Sequence, residues 1–405
     1  MKILFLGVCI SKELLLSLKT EHQNEINASY SAIKYGASIL DGLHKTNINN
    51  VTNLCLVPFG MYPSSKTLHW FKINCNSYKY IPFINIIGIK QGMISIYAFL
   101  FTLKWYFSQQ RTEQKVVITS FIYLPFLFAI WPFKLFKNFH IVSFVPDIPD
   151  YEFSYTKNKN KLKALFIPLY IKLSKKIVSI SDYFIFITLQ MAERFAPRPY
   201  SIIEGFTNND LMQITDVDDT EKKAIMYAGG MFEKFGIRLL LDSFIKITGD
   251  YELWLFGSGD MENSIATYIK LDPRIKYFGN RPNNEVIKYQ MSAKLLINPR
   301  SSTDVFTRFS FPSKILEYMC SGTPILCTKL LGIPTDYNDK IYFIDDESVN
   351  GFVGAINKCL SKSTNELNAF GKNAKQYVLI SKNNVFQIKK LLIDIEAKLF
   401  KYNNK

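Results

Sequence analysis

The feature that most constrains this chain is the stretch of residues 311–326, FPSKILEYMCSGTPIL, which predicts a helix with a defined start and end, followed by a strand. Pro312 disfavours a helix before it, and Ser313 is a good candidate for the N-cap. Gly322 suits the position just after the helix. The apolar residues between them recur at spacings that bury one helix face: Ile315, Leu316 and Met319.

The first turn of this helix offers groups that bind an anion. Unpaired backbone N–H groups, the hydroxyl of Ser313 and the ammonium of Lys314 all suit a diphosphate. Glu317 lies one turn beyond Lys314 on roughly the same face, where its carboxylate can accept hydrogen bonds from a ribose diol. This order of groups matches the shape of a nucleotide diphosphate. The alternative is an ordinary capped helix with a surface Lys–Glu pair, and the local pattern alone leaves both open.

Three ordered motifs lie in the second half of the chain. Residues 227–237 read YAGGMFEKFGI, residues 293–300 read AKLLINPR, and residues 311–326 contain PSKILEYM. Together they resemble the strand–loop–helix, the strand and the donor-site helix of family 4 glycosyltransferases. The resemblance covers most of residues 222–345, whereas the first half is similar only in outline. It implies an α/β protein of two Rossmann-like domains facing a cleft, the GT-B architecture, and transfer of a sugar with retention at the anomeric carbon.

The resemblance also implies roles for individual residues. The residues expected to hold the nucleotide-sugar donor are Gly230, Lys234, Asn280, Arg281, Ser313, Lys314 and Glu317. Asp147 and Arg308 are the candidates for a catalytic role. Asp147 follows an apolar strand in the sequence Val-Pro-Asp, where it either contacts the acceptor or caps the loop.

The chain departs from the family pattern at three positions. Met231 stands where many members place an arginine, and Lys234 comes one place early for the partner lysine. Phe309 lies eight positions before Glu317, where many members carry a glutamate that contacts the donor sugar. Val145-Pro146-Asp147 lacks the histidine of the related tripeptide. These departures favour a rival interpretation, a non-catalytic membrane-associated scaffold of the same fold.

The 405 residues suffice for two domains of ordinary size. We expect residues 1–206 to form an N-terminal, acceptor-side Rossmann-like domain and residues 207–223 to be a linker. Residues 224–381 are expected to form the C-terminal, nucleotide-sugar-binding Rossmann-like domain. A last helix in residues 382–405 would, by the resemblance, cross back to the first domain.

The start of the chain predicts α/β structure. The apolar residues 1–7 indicate a first strand rather than a signal peptide, because Lys12 and Glu13 interrupt the apolar region that a signal requires. Residues 28–41 predict an amphipathic helix that ends at Gly42.

The net charge of +15 is unevenly distributed. Residues 1–200 contain 23 Lys and Arg but only 10 Asp and Glu, so this half carries most of the positive charge. Such asymmetry indicates an anionic partner for the first half. Arginine is scarce there and no nucleic-acid motif is present, so the sequence favours an anionic membrane surface over nucleic acid.

Two segments bear on membrane contact. Residues 157–176 predict a basic amphipathic helix, which suits either an ordinary surface or docking on anionic lipid. Residues 116–133 are uncharged, but Pro125 and a β-rich start favour a buried strand and helix over a membrane span. The third alternative is an interfacial helix, anchored by Trp105, Trp131, Lys104, Arg111, Lys134 and Lys137.

Six cysteines and four histidines show no spacing typical of a disulfide framework or a zinc site. We therefore expect no metal and no cofactor beyond the nucleotide-diphosphate sugar itself. The resemblance implies a hexosyltransferase that acts on a glycan or lipid-linked acceptor in cell-surface polysaccharide synthesis, such as capsule or lipopolysaccharide. Its expected location is the cytoplasm, at the inner face of the plasma membrane. A nucleotide-sugar epimerase is the second alternative, although the chain offers few carboxylates and histidines for it.

Overall fold

The computed structural model describes residues 1–21, 30–46, 51–63, 65–72, 74–75, 77–146, 172–173, 176–195, 198–207 and 223–400. The chain divides into two compact units: unit 1 comprises Met1–Ile203 and Asn384–Lys405, and unit 2 comprises Glu204–Asn383. Several predictions fall outside the described residues. These are Asp147 with its loop, most of the basic segment 157–176, and nearly all of the predicted linker 207–223.

Unit 1 is built on a parallel sheet. Its strands are β1 (Lys2–Val8), β2 (Val51–Leu56), β3 (His69–Trp70), β4 (Asn74–Cys75), β5 (Tyr78–Lys79), β6 (Phe83–Ile84), β7 (Lys115–Thr119), β8 (Phe139–Val145), β9 (Tyr183–Phe186) and β10 (Tyr200–Ile202). Six of them form the sheet in the order β10-β9-β8-β7-β1-β2, while β3 with β6 and β4 with β5 form small antiparallel ribbons. The α-helices in the described part of its first segment, Met1–Ile203, are α1 (Lys12–Glu21), α2 (Tyr30–Lys45), α3 (Ile89–Ser108), α4 (Leu124–Ile130) and α5 (Leu189–Phe195).

The uncharged run 116–133 forms a strand and a helix, as the sequence predicts. Every residue of β7 is buried, and most of α4 is buried as well. Strands covered on both faces carry continuous apolar runs, which explains the lack of polar alternation here. Among the described residues, we find no helix with the length and apolar character needed to cross a membrane.

Unit 2 is a second parallel sheet covered by helices. Its strands are β11 (Ala224–Ala228), β12 (Glu252–Phe256), β13 (Ile275–Gly279), β14 (Leu295–Asn298), β15 (Ile325–Thr328) and β16 (Tyr342–Ile344). Its helices are α6 (Ile237–Phe244), α7 (Glu262–Leu271), α8 (Asn283–Ser292), α9 (Lys314–Ser321), α10 (Val349–Leu360) and α11 (Thr364–Ser381). The strand order is β13-β12-β11-β14-β15-β16, so the chain reverses direction across the sheet between β11 and β14.

Two apolar clusters cover the two faces of this sheet. Met226 and Ala228 belong to one cluster, while Ile225 and Tyr227 belong to the other. Successive side chains of a strand point to opposite faces, so β11 contributes to both cores in turn. This arrangement is typical of a doubly wound Rossmann-like domain.

Helix α12 (Asn384–Ile395) packs against α2 of unit 1. This packing explains why one prediction, the end of α2, is wrong. The helix predicted to end at Gly42 continues to Lys45. A Cβ at position 42 would lie 2.7 Å from Cγ1 of Ile388 and 2.9 Å from the carbonyl oxygen of Asn384. Gly42 therefore allows close packing of α12 rather than ending α2.

Candidate functional site

A cavity of about 260 Å³ lies in unit 2 beyond the carboxyl ends of β11, β12 and β13. Ligands of open α/β sheets bind at this edge, where the strand order reverses. The lining residues are Ala228, Gly229, Gly230, Phe256, Gly257, Ser258, Asn280, Arg281, Asn283, Val286 and Lys314. The cavity thus brings together four of the predicted donor-site residues: Gly230, Asn280, Arg281 and Lys314.

Glycine backbones form one wall of this cavity. Gly257 has a φ of 130°, which L-residues with side chains rarely adopt, and a Cβ there would lie 1.8 Å from the carbonyl oxygen of Gly229. The N–H of Gly229 donates to the carbonyl of Phe256 at 2.9 Å, which holds the two loops together. Because neither glycine has a side chain, the loops after β11 and β12 approach each other closely at this wall of the cavity.

The start of α9 is fixed against β11 by Tyr318. Its hydroxyl accepts a hydrogen bond from the N–H of Ala228 at 2.7 Å and donates one to the carbonyl of the same residue at 3.1 Å. The ring is fully buried, and this burial raises the pKa of Tyr318 well above its usual value. The hydroxyl therefore stays protonated, and the anchor places Lys314, one turn earlier, at the cavity.

Lys314 and Glu317 form an ion pair on α9. The distance from Nζ of Lys314 to Oε1 of Glu317 is 3.0 Å, and the side chain of Lys314 is 39% exposed against 10% for Glu317. Oε1 of Glu317 also accepts a hydrogen bond from Nε2 of Gln290 at 2.9 Å. Glu317 is thus held in place by a neighbouring helix, while the ammonium of Lys314 remains accessible at the cavity.

Ser313 occupies the N-cap position of α9, as predicted, but its side chain makes no capping hydrogen bond. Its φ of −54° and ψ of −25° are helical, and its side chain accepts no hydrogen bond from the first turn. A capping side chain needs extended backbone angles at the N-cap to reach the amides of the first turn. The prediction of Ser313 as the N-cap residue is confirmed, although its hydroxyl takes no part in capping, and the residue is exposed beside Lys314.

Asn280 and Arg281 follow β13 directly. Nδ2 of Asn280 donates to the hydroxyl of Ser258 at 3.0 Å, and Nε of Arg281 donates to the carbonyl of Phe278 at 3.2 Å. Both side chains are exposed at the cavity. The ring of Phe278 is stacked on that of Phe256, with centroids 4.5 Å apart, which gives this end of the cavity a rigid base.

Four other predicted site residues do not line this cavity: Ser313, Glu317, Lys234 and Arg308. Lys234 is exposed, with its ammonium 5.3 Å from the ring centre of Phe235. Arg308 is exposed in a 3-10 turn, with its guanidinium 5.9 Å from the ring centre of Phe309. Their roles, and that of Asp147 outside the described residues, stay predictions.

The structure adds residues that the sequence interpretation did not single out. Ser258 and Asn283 line the cavity, and the Gly-x-Gly sequence after β12 was a usable signal for Ser258. Arg300, which follows β14, stacks its guanidinium 4.6 Å from the ring centre of Phe235. Burial raises the pKa of Tyr227 to about 12, while the charge of Arg300 opposes that rise.

No group of three His, Cys, Asp or Glu side chains is placed to hold a metal ion within the described ranges. The positive groups at this cavity are the side chains of Arg281 and Lys314.

Comparisons with solved structures identify the class of fold. The chain is similar to sucrose-phosphate synthase from Thermosynechococcus elongatus (15% identity, 98% of this chain and 99% of that chain, TM-score 0.63). It is also similar to the lipopolysaccharide outer core galactosyltransferase WaaB (15% identity, 98% and 100%, TM-score 0.62) and to HepE of Anabaena, solved with UDP (14% identity, 98% and 100%, TM-score 0.61). The predicted GT-B fold is confirmed.

The family comparison concerns unit 2. Residues 222–362, about a third of the chain, match the family model described as glycosyl transferases group 1. The matched range runs from β11 to α10 and contains the whole cavity lining. The prediction of a glycosyltransferase is confirmed at this level, since residues 222–362 match this model and the chain has a GT-B fold. The comparison with curated protein sequences finds no match.

Proposed function

We propose that this chain is a retaining glycosyltransferase that binds a nucleotide-diphosphate sugar in the cavity of unit 2 and transfers the sugar to a glycan or a lipid-linked acceptor. One observation carries the proposal: glycine backbone, an exposed ammonium and two polar strand-end residues meet at the edge of the sheet where α/β folds bind ligands. The solved complexes of HepE with UDP, UDP-glucose, and UDP and glucose support this class of donor.

Each part of the donor has a proposed position. The diphosphate lies at the amino end of α9, beside Lys314 and the backbone of Gly230, because helix starts and ammonium groups both favour anions. The carboxylate of Glu317 accepts hydrogen bonds from the ribose hydroxyls. Asn280 and Arg281 contact the nucleobase, and Ser313 and Lys234 are supplementary phosphate contacts.

The chemistry requires stabilisation of a departing diphosphate beside an oxocarbenium-like centre. Lys314 supplies a positive charge where the leaving group develops negative charge. We propose that this ammonium, aided by Arg308, makes the reaction independent of a divalent metal. Asp147 is the candidate base for the acceptor hydroxyl. Addition of EDTA tests the metal proposal, since transfer should proceed at an unchanged rate.

A place in cell-surface polysaccharide synthesis is part of the proposal. WaaB, a fold relative, acts in the outer core of lipopolysaccharide, and the cationic first half of this chain suits an anionic membrane surface. We therefore propose a cytoplasmic protein in peripheral contact with the inner face of the plasma membrane. The acceptor side of the reaction would then be residues 1–206 and the donor side residues 224–381.

The function is tested by incubating the purified full chain with a panel of UDP- and GDP-sugars. We expect release of the nucleoside diphosphate, by slow hydrolysis or by transfer to an added acceptor, and loss of this release in Lys314→Ala. Recovery of an epimerised nucleotide sugar would instead establish the epimerase. Nucleotide binding without turnover on any donor and acceptor would establish the non-catalytic scaffold. The anomeric configuration of the product, read by NMR, tests retention.

A further inference from the structure

A second cavity, of about 810 Å³, lies in unit 1 at the opposite edge of its sheet from the strands' carboxyl ends. Its wall contains the first residues of β8, β9 and β10 or the residues just before them: Phe139, Asp182 and Tyr200. Because ligands of α/β sheets bind at the carboxyl edge, this cavity does not belong to the usual substrate edge of unit 1. It is also formed entirely by unit 1 and is separate from the donor cavity of unit 2.

The wall of this cavity is cationic. The basic side chains in the lining are Lys134, Lys137, Arg198 and Lys398. The acidic side chain in the lining is Asp182, whose Oδ1 lies 2.5 Å from Nζ of Lys134 and whose Oδ2 accepts the N–H of Ile141 at 2.9 Å. The lining therefore carries an excess of three positive charges.

Two further titratable groups bear on this charge. Asp394 lies 4.0 Å from Nζ of Lys398 and reduces the excess to two. His140 is buried, its Nε2 contacts Gln114, and desolvation lowers its pKa, so it adds no charge at neutral pH. The cavity remains positive when both groups are included.

An exposed apolar surface borders the cavity. We call it the apolar corner, and it consists of Phe107, Trp131, Leu135 and Phe136, with exposed fractions of 67%, 55%, 87% and 37%. Phe136 also lines the cavity, and its ring centre lies 6.4 Å from that of Phe107. The apolar corner and the cationic cavity therefore meet at Phe136.

The exposed apolar side chains continue along α3. Ile89, Ile96 and Leu100 are 48%, 63% and 55% exposed, and with Phe107 they recur at helical spacing on one face. Isolated exposed apolar residues need no explanation, but an aligned row beside a cationic cavity indicates an interaction surface for a membrane, a protein or a ligand.

We propose that this surface of unit 1 docks on an anionic lipid bilayer, with lipid headgroup phosphates in the cationic cavity and the apolar corner in the interfacial zone. The inference rests on the membrane contact of the proposed function and names the surface that makes it. Interfacial anchors combine exposed Trp, Phe and Leu with Lys and Arg that pair with headgroups. A soluble phosphate ligand would use the cations but would leave the apolar row without a role.

The test is co-sedimentation of the full chain with vesicles of phosphatidylcholine, alone or mixed with phosphatidylglycerol. We expect binding to the anionic vesicles only, with a strong loss at about 0.5 M salt because the Debye length then falls below ~5 Å. Lys137→Glu with Arg198→Glu should lower the partition coefficient at least ~10-fold, since each basic residue near the surface contributes substantially. Leu135→Ser with Phe107→Ser should lower it independently, at both salt concentrations.

The matched control carries the same change of charge on unit 2, Lys276→Glu with Lys358→Glu, at two exposed positions. It should bind anionic vesicles like the wild type. Equal loss in the control and in the Lys137/Arg198 variant would overturn the proposal, because net charge alone would then explain binding. Binding of free pyrophosphate in the cavity, with no vesicle binding, would also overturn it.

Failure of this proposal can be separated from failure of the proposed function. UDP binding, measured by calorimetry, should be unchanged in the variants of unit 1, because the donor cavity lies in unit 2. Loss of vesicle binding with intact UDP binding confirms the docking surface. Absence of UDP binding in every protein, wild type included, would contradict the proposed function and leave the vesicle result to be judged by itself.

Discussion

The hydroxyl of Tyr318 lies 2.7 Å from the backbone nitrogen of Ala228 and 3.1 Å from its carbonyl oxygen. These bonds join the middle of α9 to the carboxyl end of β11, across 90 residues of chain. The relationship explains how a lysine on a short helix reaches a cavity formed by loops of other strands.

Tyr318→Phe should therefore loosen this junction. The change leaves the N–H and the carbonyl of Ala228 without the tyrosine hydroxyl in a fully buried position. We expect the free energy of unfolding to fall by about 1–3 kcal/mol, the cost of unsatisfied buried polar groups. Urea unfolding, followed by a spectroscopic signal from unit 2, checks this value. No change in stability would show that other groups replace the hydroxyl.

Glu317 offers a test of nucleotide recognition. Glu317→Ala should reduce the affinity for a nucleoside diphosphate by at least ~10-fold, because hydrogen bonds to a charged acceptor contribute about 1.5–3 kcal/mol. The protein should still fold, with normal circular dichroism. Glu317→Gln is the matched control, since it keeps the volume and an acceptor for Gln290 and should lose less affinity. Equal affinity of the wild type and the alanine variant by calorimetry would remove Glu317 from the site.

The glycine wall predicts a steric effect. Gly257→Ala should destabilise the protein by more than ~2 kcal/mol, because the new Cβ would clash with the carbonyl of Gly229 and the φ of 130° is strained for alanine. Gly354→Ala is the control: it lies within α10 with no atom within 4 Å of the new Cβ. That change should be neutral or stabilising by up to ~1 kcal/mol. Similar unfolding midpoints for both variants would contradict the close approach of the two loops.

Lys90 of unit 1 predicts a dependence of stability on pH. Its ammonium donates to the carbonyl of Phe59 and to Oδ1 of Asn85, both at 2.9 Å, and burial lowers its pKa from 10.5 to about 8. Between these two values the unfolded chain binds a proton that the folded chain has lost, so this group makes stability rise with pH.

The measurement compares the wild type with Lys90→Met in urea at pH 7.5 and near pH 10. Over this interval the free energy of unfolding of the wild type should rise by roughly 2–3 kcal/mol relative to that of the variant, at about 1.4 kcal/mol per pKa unit. All other titrating groups are the same in the two proteins, so their contributions drop out of the difference in the free energy of unfolding. A difference that stays constant with pH would show that Lys90 titrates alike in both states.

The sequence predicts best where the signals are local. Gly322 ends α9 with a φ of 80°, as expected of a glycine after a helix. Strand β7 follows from the uncharged run 116–133, because a strand covered on both sheet faces needs no polar alternation. The start of α9 at Lys314 follows from Pro312 and Ser313, which lie directly before it.

The sequence predicts poorly where the local structure depends on contacts between distant parts of the chain. Gly42 lies inside α2 and allows contact with Ile388, which lies far along the chain. The local sequence does not show this contact and therefore predicts a helix end at the glycine. Ser313 lies at the N-cap as predicted, but its residue type alone does not reveal the helical backbone angles at which its side chain makes no capping bond. The Tyr318–Ala228 bonds depend on the packed sheet, and nothing near either residue indicates them.

The central claim is that the ammonium of Lys314 and the start of α9 bind a diphosphate. The most direct measurement is calorimetric titration of UDP and of uridine into the wild type and into Lys314→Ala. We predict that the wild type prefers UDP to uridine, and that Lys314→Ala loses ~10-fold or more of the UDP affinity while binding uridine unchanged. Equal binding of UDP by the two proteins would contradict the account.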